Sequence, residues 1–257
     1  MAPGLEFTRD GEVATLTFAR PEKKNAISRD MWAAIPDVVA EVEADPALKV
    51  LRLTGAGADF SAGADISEFG SLRSTAEGAA AYDKVVEGAV TALAGLTKPT
   101  VAVIRGNCIG GGCQISVACD FRFAERGARF GITPAKLGIV YDFRSTRQLV
   151  SLIGPAHARF FLLSGRLIDA TRAREIGLVN DVFADLEGEV SAFVATLCER
   201  SQASIRGMNR IIGKILDGAA ETDEEIETIR SAAIHGEDYA EGVAAFLSRR
   251  PPEFTAS

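Results

Sequence analysis

"GNCIGGGCQISVACD", residues 106–120, decides how the chain is read. Ahead of it, "KPTVAVIRG" (98–106) follows a proline break and has the β-branched composition of a strand. Beyond the glycines, residues 111–119 read as a helix and "DFRFAE" (120–125) as extended chain. Gly110, Gly111 and Gly112 therefore form a turn from strand into helix. Glycine lets backbone come close to a ligand, and a helix's first turn offers unpaired N–H groups and a positive dipole end. A tight turn with no ligand has the same sequence, so both readings stay open. No Gly-Lys-Ser/Thr follows, and the first strand–turn–helix unit lacks G-x-G-x-x-G, which removes the two common phosphate loops. Gln114 stands where the helix leaves the turn. An N–H cradle for developing negative charge calls for a nearby carboxylate to move a proton, and an amide cannot ionise. Any proton carrier must lie elsewhere.

Working outward, "GEVATLTFAR" (11–20) and "KVLRLTG" (49–55) read as strands, and 28–45 as a helix with Ser28 as N-cap. Residues 75–96, 155–163 and 169–177 read as helices, and "GLVNDVF" (177–183) closes with a short strand. From about 186 the pattern is amphipathic helix alone: 186–200, 204–216, 221–234 and 237–249. The predicted organisation is an α/β core over residues 1–190 and a helical region over 191–257.

The 257 residues carry a net charge of −7, which disfavours a general nucleic-acid binder. No run of eighteen apolar residues suggests a membrane span, and "MAPGLEFTRDGEV" lacks the build of a signal peptide. Cys108, Cys113, Cys119 and Cys198 lack zinc-site spacing and read as small buried residues in a reducing cytoplasm. A cytoplasmic protein with no metal is expected. His157 and His235 offer no Ser-His-Asp spacing and read as structural; Met31 and Trp32 read as core or interface.

A second glycine-rich turn, "GAGADFSAGADISEF" (55–69), also follows a strand. Two such turns can aim N–H groups at one point, the geometry of an oxyanion hole. With both in view, the chain resembles the enoyl-CoA hydratase/isomerase (crotonase) family from about residue 7 onward. The resemblance rests on "RPEKKNAIS" (20–28), "FSAGADISEF" (60–69), residues 98–125, "ARFGITPAKLG" (128–138) and "SGRLIDATRAREIGLVNDVF" (164–183), in that order and spacing. It implies a crotonase-like spiral of ββα units with a C-terminal helical trimerisation region, assembled as a homotrimer or dimer of trimers. It implies an acyl-CoA thioester as substrate, no cofactor beyond that CoA, and Ala64 and Gly111 as the oxyanion donors.

Family hydratases carry one glutamate after "GGGC" and a second four residues before the glycine of "LG". Those positions here are Gln114 and Pro134. Four residues after Gly138 stands Asp142, where some family isomerases, dehalogenases and hydrolases place an acid. A single carboxylate suffices to take a proton from the carbon next to a thioester and return it two carbons away, because no water is consumed. Apolar neighbours Ile139, Val140, Tyr141 and Phe143 would strengthen Asp142 as a base. Equally, Asp142 would cap a helix starting near Arg144, or pair with Arg144 or Arg147. The expected activity is double-bond isomerisation. Hydration or thioester hydrolysis through Asp142, with Gln114 placing the water, and acyl-CoA binding without chemistry are the alternatives.

For CoA, the resemblance implies binding around Lys23, Lys24 and Ala26, and around Ala62, Asp65 and Ile66. It also implies that Arg249, Arg250 and Phe254 of the basic tail reach a neighbouring subunit's CoA. Residues 66–90 would line the acyl pocket, with "SEFGSLRSTAEG" (67–78) as an open loop.

Overall fold

Alternation decides the first sheet. Residues of β2 (Val13–Phe18) are half-buried and buried in turn, the period of a strand with one face on the core. It pairs antiparallel with β1 (Leu5–Asp10), a strand the sequence reading omits, and parallel with β3 (Val50–Gly55). Helix α1 (Arg29–Ala44) crosses between β2 and β3, with Ser28 Oγ accepting from the Met31 N–H as expected of an N-cap. After β3 come α2 (Phe69–Leu72) and α3 (Ala76–Gly95), then β4 (Thr100–Ile104), all five of whose residues are buried. A strand covered on both faces has no need to alternate. The computed structural model describes residues 1–220 and 222–255.

The repeat then becomes visible. From β4 the chain runs through β5 (Asn107–Ile109) into α4 (Gly111–Val117), and from β6 (Phe121–Glu125) through β7 (Arg129–Gly131) into α5 (Phe143–Ser164). In each unit the first strand joins the large sheet and the second a small one, where β5 and β7 run parallel. Single bridges, Ile27 to Ala64 and Ser61 to Cys108, continue the small sheet through the two earlier units. This is the expected ββα spiral. The small sheet ends at β8 (Ile168–Asp169), which leads into α6 (Ala170–Glu175); the large one, ordered β1-β2-β3-β4-β6-β9, ends at β9 (Asp181–Phe183).

Where 155–163 is expected as a separate helix, α5 runs from Phe143 and breaks at Gly154 (φ 74°, ψ 162°). Pro155 supplies no N–H and pushes the residue before it out of helical geometry, and only glycine takes the positive φ freely.

One face of the large sheet packs on α1 and α3, with Trp32, Ile35 and Leu93 in the main core. The other is covered by α7 (Leu186–Cys198), whose Leu186, Val190 and Val194 meet Val50, Val101, Val103 and Phe123. Each such buried side chain contributes about 1.5–3 kcal/mol. The expected boundary at 190/191 therefore falls inside a helix of the core. Helices α8 (Gln202–Leu216), α9 (Glu224–Ile234) and α10 (Glu237–Ser248) follow, and they leave Met208, Ile212, Ile215, Phe246 and Leu247 exposed. The expected start of α9 at 221 lies outside the described residues. Among those described, no helix is long and apolar enough to cross a membrane. Cys108, Cys113, Cys119 and Cys198 are free thiols, the first three buried.

Candidate active site

The two glycine-rich turns meet. Gly63 adopts φ 101°, and a Cβ there would sit 2.8 Å from Ile109 O and 3.0 Å from Gly111 N. A side chain would hold the turns apart, so the sequence must spend glycine here. A Cβ on Gly111 would in turn lie 3.3 Å from Ala64 N. Among the described residues nothing accepts from the Ala64 N–H. Gly111 opens α4, where the helix provides no acceptor for its N–H. Two free amide donors thus lie side by side.

Buried Asn25 holds the turns in place. Its side-chain amide donates to Ala56 O (2.8 Å) and Asp59 O (2.6 Å), while its carbonyl accepts from Arg20 N (2.9 Å). Ser61 Oγ donates to Asn25 O and accepts from Gly63 N. Asn25 is missed by the sequence reading, although "KKNAIS" contains it. It adopts the left-handed backbone (φ 55°) that Asn tolerates better than most residues.

A cleft of about 500 Å³ opens over the two amides, and Ala62, Ala64, Ile66, Gly111, Gln114 and Asp142 all line it. Asp142 lines the cleft and also caps a helix. As N-cap of α5, its Oδ1 accepts from Ser145 N (2.8 Å); its Oδ2 accepts from Gln114 Nε2 (3.1 Å). Gln114 Nε2 also donates to Ser145 Oγ (2.8 Å), so both amide hydrogens are committed. Gln114 lies one helical turn from Gly111, which sets the carboxylate beside the amide pair. Neither expected arginine holds it: Arg147 pairs with Asp217 and lies over the Phe143 ring. The expected apolar shell is overturned in part. Val140 lines the cleft but is 93 % exposed at its rim, and Phe143, the first residue of α5, is 79 % exposed, so neither buries the carboxylate. Ile139 and Tyr141 line the cleft as well, as does Pro134, the second position where family hydratases carry glutamate.

The expected CoA loop is ordered by charge. Arg20 (2.8 Å) and Lys23 (3.0 Å) both pair with Asp65 Oδ2. Burial alone would push the Asp65 carboxyl up; hydrogen bonds from Ser67 and pairing with Lys23 and Arg20 outweigh it and hold the carboxyl well below the usual range. Lys24 has no acidic partner among the described residues, and its carbonyl accepts from Ala62 N (2.9 Å). Ala26 O accepts from Arg20 Nη1. Lys23, Lys24, Ala26 and Asp65 flank the cleft without lining it. Arg250 is tied to Glu241 and Phe254 lies against Gly242, so within this chain both belong to the α10 surface, apart from the cleft.

In place of an open loop after Asp65, the chain makes a 3-10 turn (Ile66–Glu68) and α2. Phe69 packs edge-on against Tyr82, and Arg73 lies over both rings; all three line the cleft, with Trp32. Helical spacing placed Trp32 in the core without indicating that it also faces a cavity. Among the described residues no group of three or more His, Cys, Asp or Glu is gathered as a metal ligand set.

The family model described as enoyl-CoA hydratase/isomerase matches residues 8–257. The "Probable enoyl-CoA hydratase echA8" of Mycobacterium leprae is 32 % identical, covering 95 % of this chain and 94 % of its own. The peroxisomal Delta(3,5)-Delta(2,4)-dienoyl-CoA isomerase of Arabidopsis thaliana is 29 % identical, covering 97 % and 96 %. A crystal structure of an enoyl-CoA hydratase/carnithine racemase from Magnetospirillum magneticum superimposes with a TM-score of 0.95 at 33 % identity, covering 100 % of this chain and 97 % of that one. The chain belongs to the enoyl-CoA hydratase/isomerase family and has the crotonase fold.

Proposed function

Starting from that membership, we propose that this protein isomerises the double bond of an acyl-CoA thioester, with Asp142 as the proton shuttle. The Ala64 and Gly111 amides would hold the thioester oxygen while it carries enolate charge, the place where preorganised donors contribute most. Asp142 would take the proton from Cα and return it at Cγ. Lys24, free of any acidic partner among the described residues, would meet a CoA phosphate, with Lys23, Ala26, Ala62, Asp65 and Ile66 shaping the same rim. The exposed apolar faces of α8 and α10 would be covered by neighbouring subunits in a homotrimer, and Arg250 and Phe254 would approach CoA only across such a contact.

One observation carries the reading: the Asp142 carboxylate stands in the wall of the same cleft as two unused amides, with Gln114 and Pro134 at the positions of the two family glutamates. The spent N–H groups of Gln114 count against hydration or hydrolysis through a Gln114-held water, since only its carbonyl remains free. The test is incubation with 3-enoyl-CoA in D2O, following deuterium at Cα and Cγ and the appearance of 2-enoyl-CoA. Absence of both exchange and product refutes the isomerase. Incorporation from H2 18O would identify a water-using enzyme, and tight binding without turnover a binder.

A further inference from the structure

Between the amide pair and α3, the cleft wall carries three donor-bearing side chains, two of them without an acceptor among the described residues. Trp32 comes first: its Cζ2 lies 3.0 Å from where a Cβ on Gly111 would be. The indole is wholly buried, and among the described residues its Nε1–H has no acceptor. Tyr82 is also buried, with the Trp32 indole close to its hydroxyl, and among the described residues neither group completes a hydrogen bond of full geometry. Burial, with Glu68 nearby, pushes that hydroxyl up to about 12, so it stays protonated and able to donate. Arg73 follows, its guanidinium 5.1 Å from the Phe69 ring centroid and 5.3 Å from that of Tyr82, its side chain 15 % exposed.

A pocket for plain hydrocarbon would be apolar along this wall. Buried donors without acceptors are costly, and a ligand group that accepts from them removes the cost. Indole N–H and guanidinium groups only donate, so their complement is an oxygen acceptor. Charge narrows the choice. Arg73 is already held through both terminal nitrogens by Asp83, and Asp83 and Glu87 line the same stretch of cleft. The wall therefore offers hydrogen bonds without net positive charge, and a carboxylate would be repelled by two acids.

We propose that the pocket selects an acyl-CoA whose chain bears a neutral oxygen, a hydroxyl or carbonyl, beyond the thioester, with Trp32, Tyr82 and Arg73 as the selecting donors. The inference rests on the acyl-CoA reading above but not on isomerisation, so its test uses saturated ligands that cannot isomerise. The full chain is titrated calorimetrically with free CoA and with saturated acyl-CoAs of one length: unsubstituted, hydroxyl-bearing at successive positions, keto-bearing and carboxylate-terminated. At least one hydroxyl or keto ligand binds about tenfold more tightly than the unsubstituted chain, the worth of one or two good hydrogen bonds. Tyr82→Phe keeps the ring and its packing and lowers that ratio by about threefold or more; Arg73→Gln lowers it as well. The proposal is overturned if the unsubstituted chain binds as tightly as every oxygenated one, if the carboxylate binds tightest, or if both variants leave the ratio intact. If neither CoA nor any acyl-CoA binds, the acyl-CoA reading fails and takes this inference with it; isomerase failure with the ratio intact leaves the inference standing.

Discussion

Asp142 caps a helix and lines a cleft, and two substitutions separate these roles. Asn and Asp are equivalent N-caps, so in Asp142→Asn the new Oδ1 still accepts from Ser145 N. The Gln114 amide can turn over, letting its carbonyl accept from the new side-chain N–H. The cost is the lost negative charge at the start of α5, about 0.5 kcal/mol. Asp142→Ala loses the cap, about 1 kcal/mol, and leaves one Gln114 hydrogen without its acceptor, for a total of about 1–2 kcal/mol. For a chain of this size that lowers Tm by roughly 2–8 °C. Catalysis follows a different order. Neither variant can carry a proton, so both lose about 10²–10⁴ in kcat, roughly 3–5 kcal/mol of barrier. Thermal denaturation and conversion of 3-enoyl-CoA to 2-enoyl-CoA are measured on all three proteins. An Asp142→Asn protein that keeps a tenth or more of the wild-type rate, while Asp142→Ala loses stability and rate together, would leave Asp142 a cap and nothing more.

Gly111→Val sets side-chain carbon 3.0 Å from Trp32 Cζ2 and 3.3 Å from Ala64 N, crowding both amides; kcat falls by about 10²–10³ while far-UV circular dichroism keeps its shape. Lys24→Ala weakens CoA binding by about fivefold, an effect that shrinks at high salt, with Tm unmoved; Lys23→Ala lowers Tm as well, because Lys23 also holds Asp65. Asp65→Asn loses pairing with Arg20 and Lys23, about 2 kcal/mol, or roughly 4–8 °C in Tm. Since folding lowers the Asp65 pKa, its contribution is present above the unfolded value of about 4 and is lost as pH falls through the lower folded value. The Tm gap between wild type and Asp65→Asn is therefore constant from pH 7 to about pH 5 and closes only in stronger acid.

The parts of the fold that were legible in the sequence are those with a strong period or a paired motif. The alternation in β2, the spacing in α1 and α3, and the Ser28 cap are local signals that tertiary structure had no reason to override. Strands β5, β7 and β8 span two or three residues each, too short for any period, and exist because the small sheet supplies their partners. In the site, the residues that came from the two glycine-rich turns and from the acid after "LG" do meet in one cleft. Arg73 and Tyr82 fall within residues 66–90, the stretch that the resemblance assigned to the pocket. Trp32 was not legible as a cleft residue because helical spacing states which side of a helix is buried and says nothing of whether that side faces packed core or a cavity. Asn25 was hidden for a different reason. Its work is a set of hydrogen bonds to carbonyls more than thirty residues away, and backbone partners leave no trace in side-chain pattern.

Why an amide should occupy the position of a family glutamate follows from what Asp142 must do in the proposed shuttle. A carboxylate has about four lone-pair sites. Ser145 N fills one and Gln114 Nε2 another, and no further donor reaches the carboxylate among the described residues, in a side chain that lines the cleft. A glutamate at position 114 would put a second negative charge where the amide now donates at 3.1 Å, and two acids so close share a proton instead of both ionising. Shared, the proton is no longer free to travel between two carbons of the substrate, although such a pair is well suited to splitting water across a double bond. In the proposed shuttle, Gln114 would favour one chemistry by withholding the other. It fixes Asp142 as an acceptor, aims it, and offers water only a carbonyl.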